Sequence, residues 1–435
     1  MTAAAARPAD TRIDPRANPD GRDPIRRRSL HTLVAGVGLG STGYIAAVTV
    51  ATLVAQSLAG STAWAGLPGA TIVIGSATGS MLLSRLMVRR GRRVGLTMGY
   101  VIGAGGAALA ATSLVTASFV VFLVGTFLMG FANSANQLSR YTAADMFPLS
   151  RRATAIGTVV WGATIGAILG PNMVQPAGRL ATSVGLPELS GAYLALVVFV
   201  GAAALLTQVR LRPDPYDLAD TSQGEPVGHG RATGHHAPPH SAAELLRRPT
   251  VALSIVALIV GQVVMTLLMT MTPLHMTEAG HDLGFVGLVL SAHTFGMFAL
   301  SPVSGKLTDR FGSPRTILAG MAVLAISAVL TIAAPADGGG LLLFALFLLG
   351  FGWNLGFVAG SAMLAAGLEL AERTRLEGLT DALIWSAAAV ASLSSGIIVM
   401  AAGFAALGIL ALGLVAIPTV LVLSRARTLP GAARA

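Results

Sequence analysis

Long apolar runs that recur with short charged breaks constrain this chain more than any other feature. A hydrocarbon layer about 30 Å thick takes roughly 20 apolar residues per helical crossing, and a crossing must satisfy its own backbone hydrogen bonds. Twelve such runs fit the sequence. Six lie near 32–58, 63–87, 94–116, 119–139, 153–175 and 191–211, and six near 250–272, 285–306, 315–334, 341–367, 380–402 and 404–424. The polar segment between the sets, 212–248, is rich in Gly, Pro, Asp and His and reads as a linker. Charged residues make up only 11% of the chain and mean hydropathy is +0.72, whereas about a quarter of a soluble domain is charged. The pattern predicts an all-α membrane protein of twelve transmembrane helices.

The chain carries 29 basic and 19 acidic residues, a net charge of +10. That balance suits a nucleic-acid partner, but the positions of the charges point elsewhere. With the N-terminus inside, 28 of the 29 basic residues fall on one side, among them Arg140, Arg151, Arg152, Arg373 and Arg375, and only Arg179 falls on the other. Basic residues gather on the cytoplasmic side of membrane proteins, so both termini are expected in the cytoplasm and the chain in the plasma (inner) membrane. The lipid bilayer is the expected partner, and nucleic acid is not. Residues 1–29 hold seven Arg and no apolar run, and read as a disordered cytoplasmic tail without a cleavable signal. The expected units are thus this tail, a six-helix bundle over 30–211, the linker 212–248, a second bundle over 249–427 and a cytoplasmic tail over 428–435. With no cysteine, disulfides and thiolate metal sites are excluded.

A charged turn stands out after the eighth span: Gly305-Lys306-Leu307-Thr308-Asp309-Arg310-Phe311-Gly312. Glycine permits a tight turn, and Asp309 at a helix end can pair with Arg310 or with the N-terminus of another helix. The equivalent place after the second span reads Ser84-Arg85-Leu86-Met87-Val88-Arg89-Arg90-Gly91-Arg92-Arg93. This pair of loops resembles the signature of the major facilitator superfamily, G-x-L-x-D-R-x-G-R-R, which appears once in each six-helix half. Val88 takes the place of the aspartate in the first copy, a departure from a symmetric charge relay between the halves, while Arg89, Gly91 and Arg92 match the motif there as Gly305, Asp309, Arg310 and Gly312 do in the second. The resemblance covers about 30–427. It implies a major facilitator fold of two six-helix bundles built from inverted repeats, with cargo bound between them near mid-membrane and the Asp309 turn stabilising one end state. The fifth span carries Gly157, Gly166, Gly170 and Pro171, expected as a helix-bending motif with the bend at Pro171, and the pattern is similar to the superfamily's antiporter motif except that Val174 and Gln175 replace its closing glycines. Close packing of small residues explains that spacing equally well.

Ionisable groups inside a bilayer are costly and usually functional. Asp145, Asp309, Glu369 and Asp381 fall near the cytoplasmic ends of spans, where structural pairing is expected, and no carboxylate is expected at mid-span. Asn133, Asn136, Gln137, Gln262, Trp353 and Asn354 can line a cavity or bond between helices. His293 lies well inside a span. Treating spans seven and eight as a hairpin about Ala279 puts Met265 and His293 at similar depth. The pairs Met265/Met269 and His293/Met297 each share a helix face, and thioethers with an imidazole suit Cu(I). Methionine also fills packing gaps. A superfamily branch of CcoA-like copper importers carries such pairs on spans seven and eight, and the same branch includes relatives assigned to riboflavin uptake.

Two cargos therefore remain open: copper, as a transported ion rather than a cofactor, and a small organic molecule, either a vitamin-like compound taken up or a drug exported. The outer stretch Met271, His275, Met276, Glu278, His281 and Asp282 can form an access funnel for a cation, and His229, His235, His236 and His240 of the linker an accessory metal tract. No set of nucleophile, base and acid is evident, so no enzyme is expected. The oligomeric state is not legible.

Overall fold

The computed structural model describes residues 23–61, 64, 66–219, 242–281, 283–334, 339–366 and 368–424. The helices of the first half are α1 (Asp23–Ala59), α2 (Leu67–Arg90), α3 (Arg92–Val115), α4 (Phe119–Met146), α5 (Arg152–Ser183) and α6 (Ser190–Arg210). A short α7 (Ala242–Arg247) leads into α8 (Pro249–Glu278), α9 (Leu283–Phe298), α10 (Ser301–Phe311), α11 (Ser313–Ala333), α12 (Gly339–Leu364), α13 (Leu370–Ala402) and α14 (Ala405–Ser424). Twelve of the described segments are long and apolar enough to cross a membrane, with α9 and α10 together making the eighth. Both ends of the helical array lie on one face, called here the terminal face. The opposite side is the far face.

Several boundaries differ from the sequence reading. The first helix begins at Asp23, inside the segment expected to be a tail. The loops after spans two and eight shrink to single glycines, Gly91 (φ 90°) and Gly312 (φ 86°), each ending one helix and starting the next. Only glycine adopts that backbone without strain. Of the segment expected to be a linker, 212–219 is ordered and α7 forms near its end, while the histidines of its His-rich tract lie outside the described residues. The eighth span breaks at Ala299 and Leu300 because Pro302 has no N–H to continue the ladder. The Ser301 hydroxyl donates instead to the freed Phe298 carbonyl at 2.8 Å.

Each half buries its own core: Tyr100, Phe122, Tyr193 and Leu196 in the first, and Leu268, Met321, Leu346 and Val358 in the second. The halves meet along two related seams, α2 against α13 and α5 against α10. Glycines set the spacing. A Cβ on Gly157 would collide with the Ser301 carbonyl, one on Gly305 with the backbone of Ala153 and Thr154, and one on Gly378 with Ser84. Gly166 and Gly170 do the same work within the first half, where α5 lies against Ser41 and Ile45 of α1. Helix α5 continues through Pro171.

Gly157→Val forces the α5–α10 seam apart, and we expect it to cost about 1–3 kcal/mol. Thermal unfolding in detergent checks this against Gly201→Val, whose site has nothing within 4 Å and which should melt like the parent.

Candidate functional site

A cavity of about 290 Å³ lies between the halves, close to the lower end of the roughly 300–1,000 Å³ usual for small-molecule sites. The first half contributes Ser41, Tyr44 and Ile45 from α1, Asn133, Asn136, Gln137 and Arg140 from α4, and Ala163 from α5. The second half contributes Gln262 and Met265 from α8, Met297 and Phe298 from α9, Trp353 and Phe357 from α12, and Asp381 and Trp385 from α13.

The amides line the cavity and bond between helices as well. Tyr100 donates to Asn136 Oδ1 at 2.9 Å, Asn133 donates to Ser76 at 3.1 Å, and the Trp353 indole donates to Gln262 at 3.0 Å. An amide offers two donors and two lone pairs, so each retains capacity for a cargo. Trp353 stacks on Phe357 with ring centroids 4.4 Å apart, and Phe298 meets Trp353 edge-on. Asn354 points elsewhere: it donates to the Met297 carbonyl and to Ser301, each at 2.6 Å, and so holds the broken turn of the eighth span.

Arg140 and Asp381 correct the sequence reading. Arg140 was expected in a loop but is 1% exposed, inside α4. Asp381 was expected in structural pairing near a helix end; it is paired, but it also borders the cavity. All five guanidinium N–H groups of Arg140 are engaged. Nε donates to Ser361 at 3.2 Å, Nη1 to the Gln137 carbonyl and Oε1 at 2.7 and 2.9 Å, and Nη2 to Tyr141 at 3.0 Å and Asp381 at 2.5 Å. The Tyr141 and Phe357 rings lie 4.2 and 4.3 Å from its central carbon. The sequence carried a signal for this pair, an arginine and an aspartate written into amphipathic ends of apolar spans.

Toward the terminal face the halves are joined by a second buried cluster. Arg92 binds Asp145 at 2.8 Å and Glu377 at 2.6 Å, and Arg373 also pairs with Asp145. Arg152 donates to the Ala365 carbonyl at 2.7 Å. Asp309 accepts from the backbone N–H groups of Ala153 and Thr154 at 3.0 and 2.9 Å and from the Thr154 hydroxyl at 2.5 Å, which caps the start of α5. No such aspartate exists at Val88. There the segment after α6 supplies Asp214, which accepts from the Arg92 and Arg93 backbone N–H groups at 3.1 Å each. Tyr216 from the same segment shares a 2.6 Å hydrogen bond with Thr374 of α13. Burial pushes the Tyr216 phenol up to about 12, so it stays neutral. Toward the far face the halves leave a hollow of about 540 Å³ between α1, α5 and α9, bordered by Ile45, Pro171 and Leu290. Ile45 borders this hollow and the central cavity alike.

Of the four residues expected to bind Cu(I), Met265 and Met297 line the cavity, while Met269 packs against the core of the second half. His293 is fully buried with Nδ1 3.0 Å from the Leu346 carbonyl, and its Nε2 has no partner among the described residues. The hairpin assumed for spans seven and eight is not how they pack, because α9 lies along α12, where Gly350 touches the backbone of His293 and Met297. The expected access funnel is mostly helix: α8 runs to Glu278, Met276 is buried and His275 stacks on Phe404, with centroids 4.0 Å apart. Asp282 lies outside the described residues.

A twelve-helix array with a solute-sized cavity between two halves is the architecture of a secondary transporter. The sequence profile of the Major Facilitator Superfamily matches residues 32–285 and 262–434, and the chain belongs to that family. It is 34% identical over 418 residues to the MFS-type transporter YdeG of Bacillus subtilis (strain 168), covering 94% of this chain and 95% of YdeG. It is 30% identical over 419 residues to the riboflavin transporter RfnT of Brucella anthropi, covering 94% of this chain and 98% of RfnT. The crystal structure of the human organic anion transporter MFSD10 matches the fold with a TM-score of 0.72 at 17% identity, covering 91% of this chain and 99% of that one. The chain is a transporter of a small solute, and no enzyme.

Asp145→Asn leaves Arg92 and Arg373 short of a buried counter-charge and is expected to cost about 3–5 kcal/mol. The half-buried cap lost in Asp309→Ala should cost about 0.5–2 kcal/mol. Melting temperatures of the two variants in one detergent test that order.

Proposed function

We propose that this chain imports a small planar aromatic molecule of the riboflavin kind across the plasma membrane by alternating access. The observation that carries the reading is the cavity lining, where the aromatic side chains of Trp353, Phe298, Tyr44 and Trp385 stand beside the amides of Asn133, Asn136, Gln137 and Gln262. Aromatic faces hold a flat ring system by offset stacking, and amides pair with an edge that both donates and accepts. The name of RfnT supports the same cargo. Placing the terminal face in the cytoplasm follows the bias of basic residues. The hollow at the far seam then supports an outward-open state, with the ion cluster and the Asp309 cap holding the cytoplasmic side closed.

Copper import keeps two thioethers in the cavity, Met265 and Met297, as its supporting observation. Against it, the ring of His293 is turned to Leu346 and Met269 is outside the lining.

Riboflavin should quench the tryptophan fluorescence of the purified chain, and Trp353→Ala should weaken binding by about 10-fold or more. Uptake of labelled copper, lost in Met265→Ala and without riboflavin binding by the parent, would transfer the assignment to the metal.

A further inference from the structure

The cavity has one guanidinium and one carboxylate in its lining, Arg140 and Asp381, and they are bonded to each other at 2.5 Å. Every other lining residue is uncharged. We propose that this pair makes the carrier selective for uncharged cargo, with Asp381 as the specificity-determining residue that excludes anions. The inference deepens the cargo reading above and rests on it.

An arginine facing a transport cavity is ordinarily a receptor for carboxylate or phosphate, since its planar fork presents five donors. In this chain that capacity is spent. Ser361, Gln137, Tyr141 and Asp381 take all five N–H groups, and two aromatic rings lie against the guanidinium. The charge is cancelled as well as occupied. An anionic cargo must either displace one of those partners, which strands a buried polar group, or sit in the cavity without a cation. Both courses carry the cost of an uncompensated charge in a low-dielectric site. A flat, uncharged cargo needs neither, because the amides and the aromatic side chains of Tyr44 and Trp385 also line the cavity. Arg140 reaches Asp381 and Ser361 across the boundary between the halves, so the same contacts that fill its donors also tie the bundles together beneath the cargo.

The test compares binding of riboflavin and of its phosphate monoester to the purified full chain by equilibrium dialysis. The parent should prefer riboflavin by at least about 100-fold. Asp381→Asn, which leaves Arg140 with an uncancelled charge, should reduce that preference to below about 10-fold, and Arg140→Gln/Asp381→Asn should restore it. A parent that binds both compounds alike overturns the inference. So does an Asp381→Asn chain that binds riboflavin with undiminished preference, since rejection would then be a matter of size. If Asp381→Asn does not fold, Ser361→Ala decides: it frees the Nε N–H of Arg140 without touching the cavity lining and should narrow the preference by about 10-fold, and an unchanged ratio rules the idea out. A parent that binds neither compound overturns the cargo reading itself, and the inference falls with it.

Discussion

Buried charge held jointly by both halves governs the arrangement of the rest. Arg92, Asp145, Arg373 and Glu377 form one cluster and Arg140 with Asp381 a second, all of them nearly or fully inaccessible. Removing such charges from water is expensive, and only close opposite charges with completed hydrogen bonds repay the cost. Each cluster contains pairs that cross between the bundles, Arg92 with Glu377, Arg373 with Asp145 and Arg140 with Asp381, so the charges are fully paired only while the terminal face is shut. Parting the bundles there would have to supply water or new partners to every one of them. The clusters therefore hold the halves together at the terminal face, and the hollow between α1, α5 and α9 lies on the far side.

The two seams are related in plan but not in chemistry. Where α10 meets α5, a carboxylate of one half caps the helix of the other, and Gly157 and Gly305 allow the backbones to touch. Where α2 meets α13, Val88 offers no carboxylate. The connection after α6 fills the gap, with Asp214 capping α3 and Tyr216 reaching Thr374. A segment that reads as a spacer thus becomes part of the closed face. Because charged groups are consumed in these joints, the cavity is left with rings, amides and a neutralised ion pair. This composition suits an organic cargo recognised by stacking and hydrogen bonds better than one held by charge.

The fold was legible in the sequence because its determinants are local and repeated: apolar runs of spanning length, basic residues gathered on one side, and the paired turns at Gly91 and Gly312. Single tracts of this kind need no knowledge of neighbours. The site was legible only in part. Asn133, Asn136, Gln137, Gln262 and Trp353 were visible as polar or indole groups in apolar spans, and they do line the cavity. Tyr44 and Trp385 gave no sign of it, since an aromatic residue in a span is ordinary until its rotational position about the helix is known.

What the sequence determined by itself was how many times the chain crosses the bilayer and which face gathers its basic residues, since the cost of exposing backbone and charge to lipid acts on each segment alone. Tertiary structure decided which helices meet. It turned His293 toward Leu346 rather than the methionines, drew Arg140 out of its expected loop and onto Asp381 some 240 residues away, and placed the break at Ala299 beside the cavity. Those outcomes depend on packing between segments distant in the chain, where a glycine opposite a carbonyl or an arginine opposite an aspartate sets the rotation of a whole helix, and no local pattern records that pairing.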